Sequence, residues 1–380
     1  MSASATSMDP TGIPGVAKGG KTNHWSQAPA GILTTGIGSL PHHNVDAALE
    51  YALKPSIPFL PQIPIRNPNE YMIFQALDGM PGLQQLEKGL ASLNLNAWSS
   101  QTHLLEKKLT EAFAAGASPQ AFEAFEPNAS AYSAWKPFLY ELGERKIKFA
   151  KIQIAGPLTC QWSLKLNDGN AAETNPEVTS QIFRLVLAKS IAMIRRLRAE
   201  GVTPLMVLDE PGLSVLSAEN PRHILGLQEL KLTIQTLKKE QALIGLHCCS
   251  NTDWRAILGL GLDVVSLDTG LSMELLFEAP DALEAFIHKG GRMALGLIST
   301  NLPAADTTES GVEMHAEQLH ASLLAFRTRL TQKLPKALAA RLLKDAIYTP
   351  ACGLAMHRTT AAESILRSLL EISMKEITVA

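Results

Sequence analysis

Eight short runs of apolar and β-branched residues, spaced along 380 residues by stretches of helical periodicity, limit the folds open to this chain. They are ILTTGIGSL (32–40), PFLPQIP (58–64), FAKIQIAGPLT (149–159), TPLMVLDEP (203–211), ALIGLHCCS (242–250), LDVVSLDTG (262–270), RMALGLIST (292–300) and AIYTPACGL (346–354). Alternation within them is weak and polar residues gather at their ends, which is the pattern of strands buried on both faces. Between them, Pro176 to Glu200 carries Val178, Ile182, Leu185, Ile191 and Ile194 near a 3.6-residue period, with Asn175 placed to cap and Pro176 at the first helical position. Segments 219–240, 272–289 and 310–344 behave alike. Strand–helix alternation of this kind predicts an α/β fold, a single (β/α)8 TIM-type barrel. A doubly wound open sheet is the other possibility, but no glycine-rich dinucleotide fingerprint follows an early strand.

The stretch 65–148 is too long for one crossover and reads as a helical excursion between strands 2 and 3. Residues 1–30, rich in Ser, Ala, Gly and Pro, read as a flexible leader, leaving 31–380 as the barrel domain. Only 18% of residues are charged, the net charge is −2 and no basic cluster occurs, so neither nucleic acid nor an anionic membrane is expected as a partner. No apolar run reaches the length of a membrane span. The four cysteines, Cys160, Cys248, Cys249 and Cys352, are too few for the disulfide frame of a secreted protein, and a reduced, cytoplasmic chain is expected.

In a barrel the chemistry sits where strands end. The polar residues there are Ser39 and His42, Gln62 and Arg66, Thr159 and Trp162, Asp209 and Glu210, His247 and Cys249, Asp268, Ser299 and Asn301, and Cys352. His42 and His43, beyond Pro41, read as solvated loop residues. Strand alternation turns His247 and Cys249 to one side and Cys248 to the other. An imidazole and a thiolate so paired suit zinc, and Asp268 on the next strand with Cys352 on the last would complete a site. The plainer alternative is that each cysteine packs as a small hydrophobe. Two thiolates and a carboxylate would leave the centre net negative. Such a centre suits thiol activation better than hydrolysis.

The motifs TTGIGSLPH, AGPLT with Trp162, LDEPGL, the H-x-C pair, DVVSLDT and PACGL occur in this order over about residues 32–370. Together they resemble the C-terminal catalytic barrel of cobalamin-independent methionine synthase, in the superfamily that also holds uroporphyrinogen decarboxylase. The resemblance implies a zinc-dependent methyltransferase that methylates homocysteine to methionine. It implies His247, Cys249 and Cys352 as zinc ligands, with Asp268 at the position of a metal-binding glutamate. It further implies Asp209 on the substrate ammonium, Ile37, Gly38 and Ser39 on the other end of the amino acid, and Trp162 in the methyl-donor pocket.

The sequence departs from that family at three points. Asn301 stands where a proton-transfer histidine is implied, and only Gln62 or Glu70 is available for an amino-acid-binding glutamate. The N-terminal barrel that helps bind the folate donor has no counterpart in these residues. Methyltetrahydrofolate, a methylated corrinoid protein or another small donor therefore all stay open. So do a different thiol acceptor, such as a coenzyme thiol, a decarboxylase of the same superfamily, and a non-enzymatic barrel subunit with structural zinc.

Overall fold

A computed structural model describes residues 24–300, 309–372 and 374–378. In chain order the strands are β1 (Leu33–Thr34), β2 (Leu83–Gln85), β3 (Ala91–Leu93), β4 (Phe149–Ala155), β5 (Lys165–Leu166), β6 (Thr203–Asp209), β7 (Leu243–Cys248), β8 (Val264–Asp268), β9 (Arg292–Ile298) and β10 (Ile347–Pro350). Seven of them form one curled sheet in the order β1-β10-β9-β8-β7-β6-β4, every neighbouring pair parallel. The segment expected as the second strand, 58–64, forms no ladder. It makes single parallel bridges instead, Ser39 with Gln62 on one flank and Phe59 with Lys151 on the other. The fold is thus α/β with a seven-stranded parallel sheet, and 58–64 runs between its two edge strands.

The sheet's inward face is itself divided. Leu33, Ile57, Phe149, Leu205, Val207, Leu243, Val264, Ala294 and Ile347 pack into a core separate from the larger one under the helices. Apart from Ile57 these sit in the strands, mostly at their N-terminal ends. Period-2 alternation then sets Lys151, Ser266 and Thr349 in the next layer, and Asp209, His247 and Asp268 above it. An apolar floor thereby carries a polar top. Residues 24–30, the end of the expected leader, close the floor from below. Trp25 stacks on Phe149 with centroids 5.9 Å apart, and the Arg292 guanidinium lies over the Trp25 ring, 3.9 Å from its centroid.

The helix Pro176–Ala199 starts as its sequence requires, with the Asn175 side chain accepting from the amides of Glu177 and Val178. Two expected single helices are each split at a proline. Thr269–Leu276 is followed by Pro280–His288, and Glu309–Lys333 by Lys336–Asp345 after Pro335. Proline has no amide hydrogen to continue a helix, but it starts one readily.

Within the excursion lie the helices Met72–Leu77, Leu95–Phe113 and Trp135–Glu144, and also β2 and β3, which with β5 from beyond β4 form an unexpected small sheet, β2-β3-β5. Its strands of two or three residues are too short to show a period in sequence. His42, read as solvated, is instead 2% exposed, 5.7 Å from the Tyr51 ring and 3.5 Å from Glu363. The helix Thr359–Leu369 covers the loop and removes it from water. Among the described residues no helix is long and apolar enough to cross a membrane.

Because Trp25 joins Phe149 to Arg292 across the floor, Trp25→Ala should lower unfolding free energy by about 2–4 kcal/mol, whereas exposed Gln27→Ala should change it by under about 0.5 kcal/mol. Urea denaturation of the two variants checks this.

Candidate functional site

The ends of β7 and β10 supply three ligand atoms, from His247, Cys249 and Cys352, all within 4.8 Å of one another, a group that can hold a metal ion. In the sheet order two strands separate β7 from β10. In a flat sheet that spacing would be about 14 Å. Curling closes most of the gap, and two local features close the rest. The register between β9 and β10 shifts between Thr349 and Pro350, a bulge that turns the chain just before Cys352. Beyond it, the Leu354 amide donates to the Ser39 carbonyl at 2.8 Å, which ties the Cys352 turn to the end of the first run. A Cβ on Gly353 would lie 2.2 Å from Ser39 Oγ, so glycine lets the two segments approach without displacing that hydroxyl.

His247 is 3% exposed, and its Nδ1 lies 2.9 Å from Ser266 Oγ, the residue beside it in register on β8. Its Nε2 is buried without a hydrogen-bond partner in the protein. A buried ring nitrogen left unpaired beside two thiols has the capacity to bind a metal ion. Cys248 points the other way, into the helix-side core, with its Sγ 3.3 Å from the Ser250 carbonyl. The Cys249 and Cys352 sulfurs are close enough to influence each other's ionisation. The neighbouring Cys249 thiol and the His247 ring hold Cys352 well below the ordinary thiol range, while the Cys352 sulfur and burial push Cys249 up.

Asp268 stands outside this group. Its Oδ1 caps the helix Thr269–Leu276, accepting from Gly270 N at 2.8 Å and Leu271 N at 3.3 Å. Burial raises its carboxyl above the usual range, the two cap bonds opposing. It remains near enough for its charge to act on His247 and Cys352.

Asp209 and Glu210 are neighbours with different surroundings. Asp209 lies beside His247 in register and is 7% exposed, and its Oδ1 has no partner in the protein. Burial pushes its carboxyl up to about 6, against the pull of Lys151 and His247. Glu210 faces the start of the helix Pro157–Ser163 and accepts from Leu158 N at 3.0 Å, Thr159 N at 2.6 Å and Thr159 Oγ1 at 2.6 Å. A Cβ on Gly156 would come within 2.1 Å of it. Glu210 is therefore committed to holding the turn after β4.

A cavity of about 230 Å³ opens above the sulfurs. Ile37, Ser39, Gln62, Glu70 and Asp209 share its wall with His247, Cys249 and Cys352. Gly38 is hemmed in behind, since a Cβ would lie 2.6 Å from Gln153 Nε2 and 2.8 Å from Gln62 Oε1. Glu70, 2% exposed, already accepts from Ile63 N at 2.7 Å and Ser133 N at 2.8 Å, and so braces the excursion against the cavity. Trp162 does not reach this wall. It packs on His223 with ring centroids 4.5 Å apart. Asn301 lies outside the described residues.

Sequence reading missed Lys151 and the mouth residues Tyr71, Met72 and Met356. Lys151 had a signal, a lone cation inside the apolar run FAKIQIA. It is 4% exposed, and its Nζ donates to the Ile37 carbonyl and, at 2.9 Å, to Gln153 Oε1. Burial brings its ammonium down to about 8, opposed by Asp209.

No protein-family model and no curated protein matches this chain. Among solved structures it is similar to a B12-independent methionine synthase from Shewanella sp. W3-18-1 in complex with selenomethionine, at 18% identity and a TM-score of 0.40 over 61% of this chain. The match spans 64% of that synthase. It is also similar to a methyltransferase from Methanosarcina mazei, at 11% identity and a TM-score of 0.47, covering 92% of this chain and 96% of that one. Neither likeness is close enough to transfer chemistry.

Burial outweighs three hydrogen bonds in raising Glu210 from 4.5 to about 7, so the folded chain holds a proton there that the unfolded chain releases. Its contribution to stability is complete below pH 4.5 and is lost as pH rises through about 7. Glu210→Gln should flatten the pH dependence of metal-free unfolding in this window by on the order of 3 kcal/mol. Chemical denaturation at stepped pH reads the slope, and an unchanged slope would refute the assignment.

Proposed function

We propose that this chain is a zinc-dependent methyltransferase that methylates a thiol, with homocysteine as acceptor and methionine as product. The observation that carries this reading is the unpaired, buried Nε2 of His247 beside the sulfurs of Cys249 and Cys352, under a cavity that also holds the unpaired Oδ1 of Asp209. The donor set fits zinc. Tetrahedral coordination with bonds of about 2.3 Å puts ligand atoms roughly 3.8 Å apart, which small side-chain movements reach from the present spread. One imidazole and two thiolates are borderline and soft donors, which favour zinc over calcium or magnesium. Bound there, zinc would supply a means of keeping an acceptor thiol deprotonated at neutral pH.

The chain's own groups do the rest. Asp209 takes the substrate ammonium with its free oxygen, since a buried carboxylate without a partner gains most from a cation. Ile37, Gly38 and Ser39 receive the opposite end of the amino acid, with Gln62 beside them. Tyr71, Met72 and Met356 form a largely apolar approach for the methyl donor. The acceptor sulfur bonds to the methyl carbon as the donor leaves with the electron pair of the broken bond. Methyltetrahydrofolate or a methylated corrinoid protein would serve as donor. In this reading 58–64 acts as the eighth stave of a (β/α)8 barrel spanning 31–380, and Asp268 orients the ligand cluster from its helix cap. All four cysteines are free, which accords with a reducing, cytoplasmic setting.

Cobalt-loaded protein titrated with homocysteine should show a new thiolate-to-metal absorption, while Cys352→Ser should lose most bound metal. An unaltered spectrum would place the ion in a closed structural site instead. Asp209→Asn should keep full metal content yet weaken homocysteine binding at least about tenfold, the loss expected for one charge-assisted contact. Ser266→Ala should lower metal affinity about 10- to 100-fold by freeing the His247 ring, which equilibrium competition with a chelator measures.

A further inference from the structure

Behind the cavity, on the side of the apolar floor, Lys151 lines a small adjoining void together with Ile37, Asp209 and His247. No step of the proposed reaction calls for it. A buried ammonium is costly, so one retained in the middle of a buried strand needs partners there. Its partners are specific. Nζ donates to the carbonyl of Ile37, the first residue of the segment that meets one end of the acceptor, and to Gln153 Oε1. Gln153 in turn donates to the Leu60 carbonyl at 2.7 Å and lies against Gly38. Lys151 also exerts its charge on Asp209, which meets the other end of the acceptor.

We infer that Lys151 is a positioning residue for an amino-acid acceptor: its ammonium ties the Ile37–Gly38–Ser39 backbone to β4 and balances the Asp209 carboxylate across the same void. The two groups that would receive an amino acid's ammonium and its opposite end are thus held at a fixed separation by one side chain. The consequence is selectivity for thiols that carry an α-amino-acid head. This inference rests on the acceptor reading above.

The test compares Lys151→Met and Lys151→Gln with the native protein, by calorimetric titration with homocysteine and with 2-mercaptoethanol, at matched metal content. Both variants should bind 2-mercaptoethanol within twofold of the native protein. Lys151→Met should lose at least tenfold in homocysteine affinity. Lys151→Gln should recover part of that loss, because its amide can still donate to the Ile37 carbonyl. Native homocysteine affinity in Lys151→Met, an equal loss for both thiols, or failure of both variants to fold would each overturn the inference, the last by showing a purely structural lysine. If the native protein binds homocysteine no better than 2-mercaptoethanol, the acceptor reading itself fails, and that is seen before any variant is made.

Discussion

Everything at this site depends on the side chains that parallel strands send inward as the sheet curls. Alternate residues of each strand share one interior, and their heights are set by register. The lower positions are apolar and make a dry floor. The upper positions are polar and would be costly to bury without partners. Ser266 meets His247 because their strands are in register, and that hydrogen bond leaves the other ring nitrogen for a ligand. Asp209 sits beside His247 for the same reason.

The adjacent acids show how alternation separates roles. Asp209 points inward and keeps an unpaired oxygen, whereas Glu210 is occupied by the first turn of the next helix. Burial raises both carboxyls, but only one has capacity left for a substrate. Asp268 resembles Glu210 in this respect, since one of its oxygens is engaged as a helix cap. A carboxylate at a strand end therefore has two competing uses, and the amide hydrogens of the following helix decide between them.

Much of this was legible in the chain. The apolar runs gave the parallel strands, Asn175 and Pro176 gave a helix start, and the i, i+2 spacing placed His247 and Cys249 on one side. The short strands β2, β3 and β5 were not legible, because two or three residues carry no period. His42 was misjudged because burial by Thr359–Leu369 depends on a helix far along the chain. Lys151 was overlooked although its place inside an apolar run was a signal: a charge at the middle of a buried strand needs a buried partner.

The sequence by itself determined which side chains alternate inward on each strand and which residue types end the strands, because those follow from local geometry. Tertiary structure alone decided that Cys352 meets Cys249, that Asp209 keeps a free oxygen while Glu210 does not, and that Trp162 turns away from the cavity. Those outcomes depend on how far the sheet curls, where β10 bulges and which amides lie nearest, and each depends on contacts between segments distant in the chain.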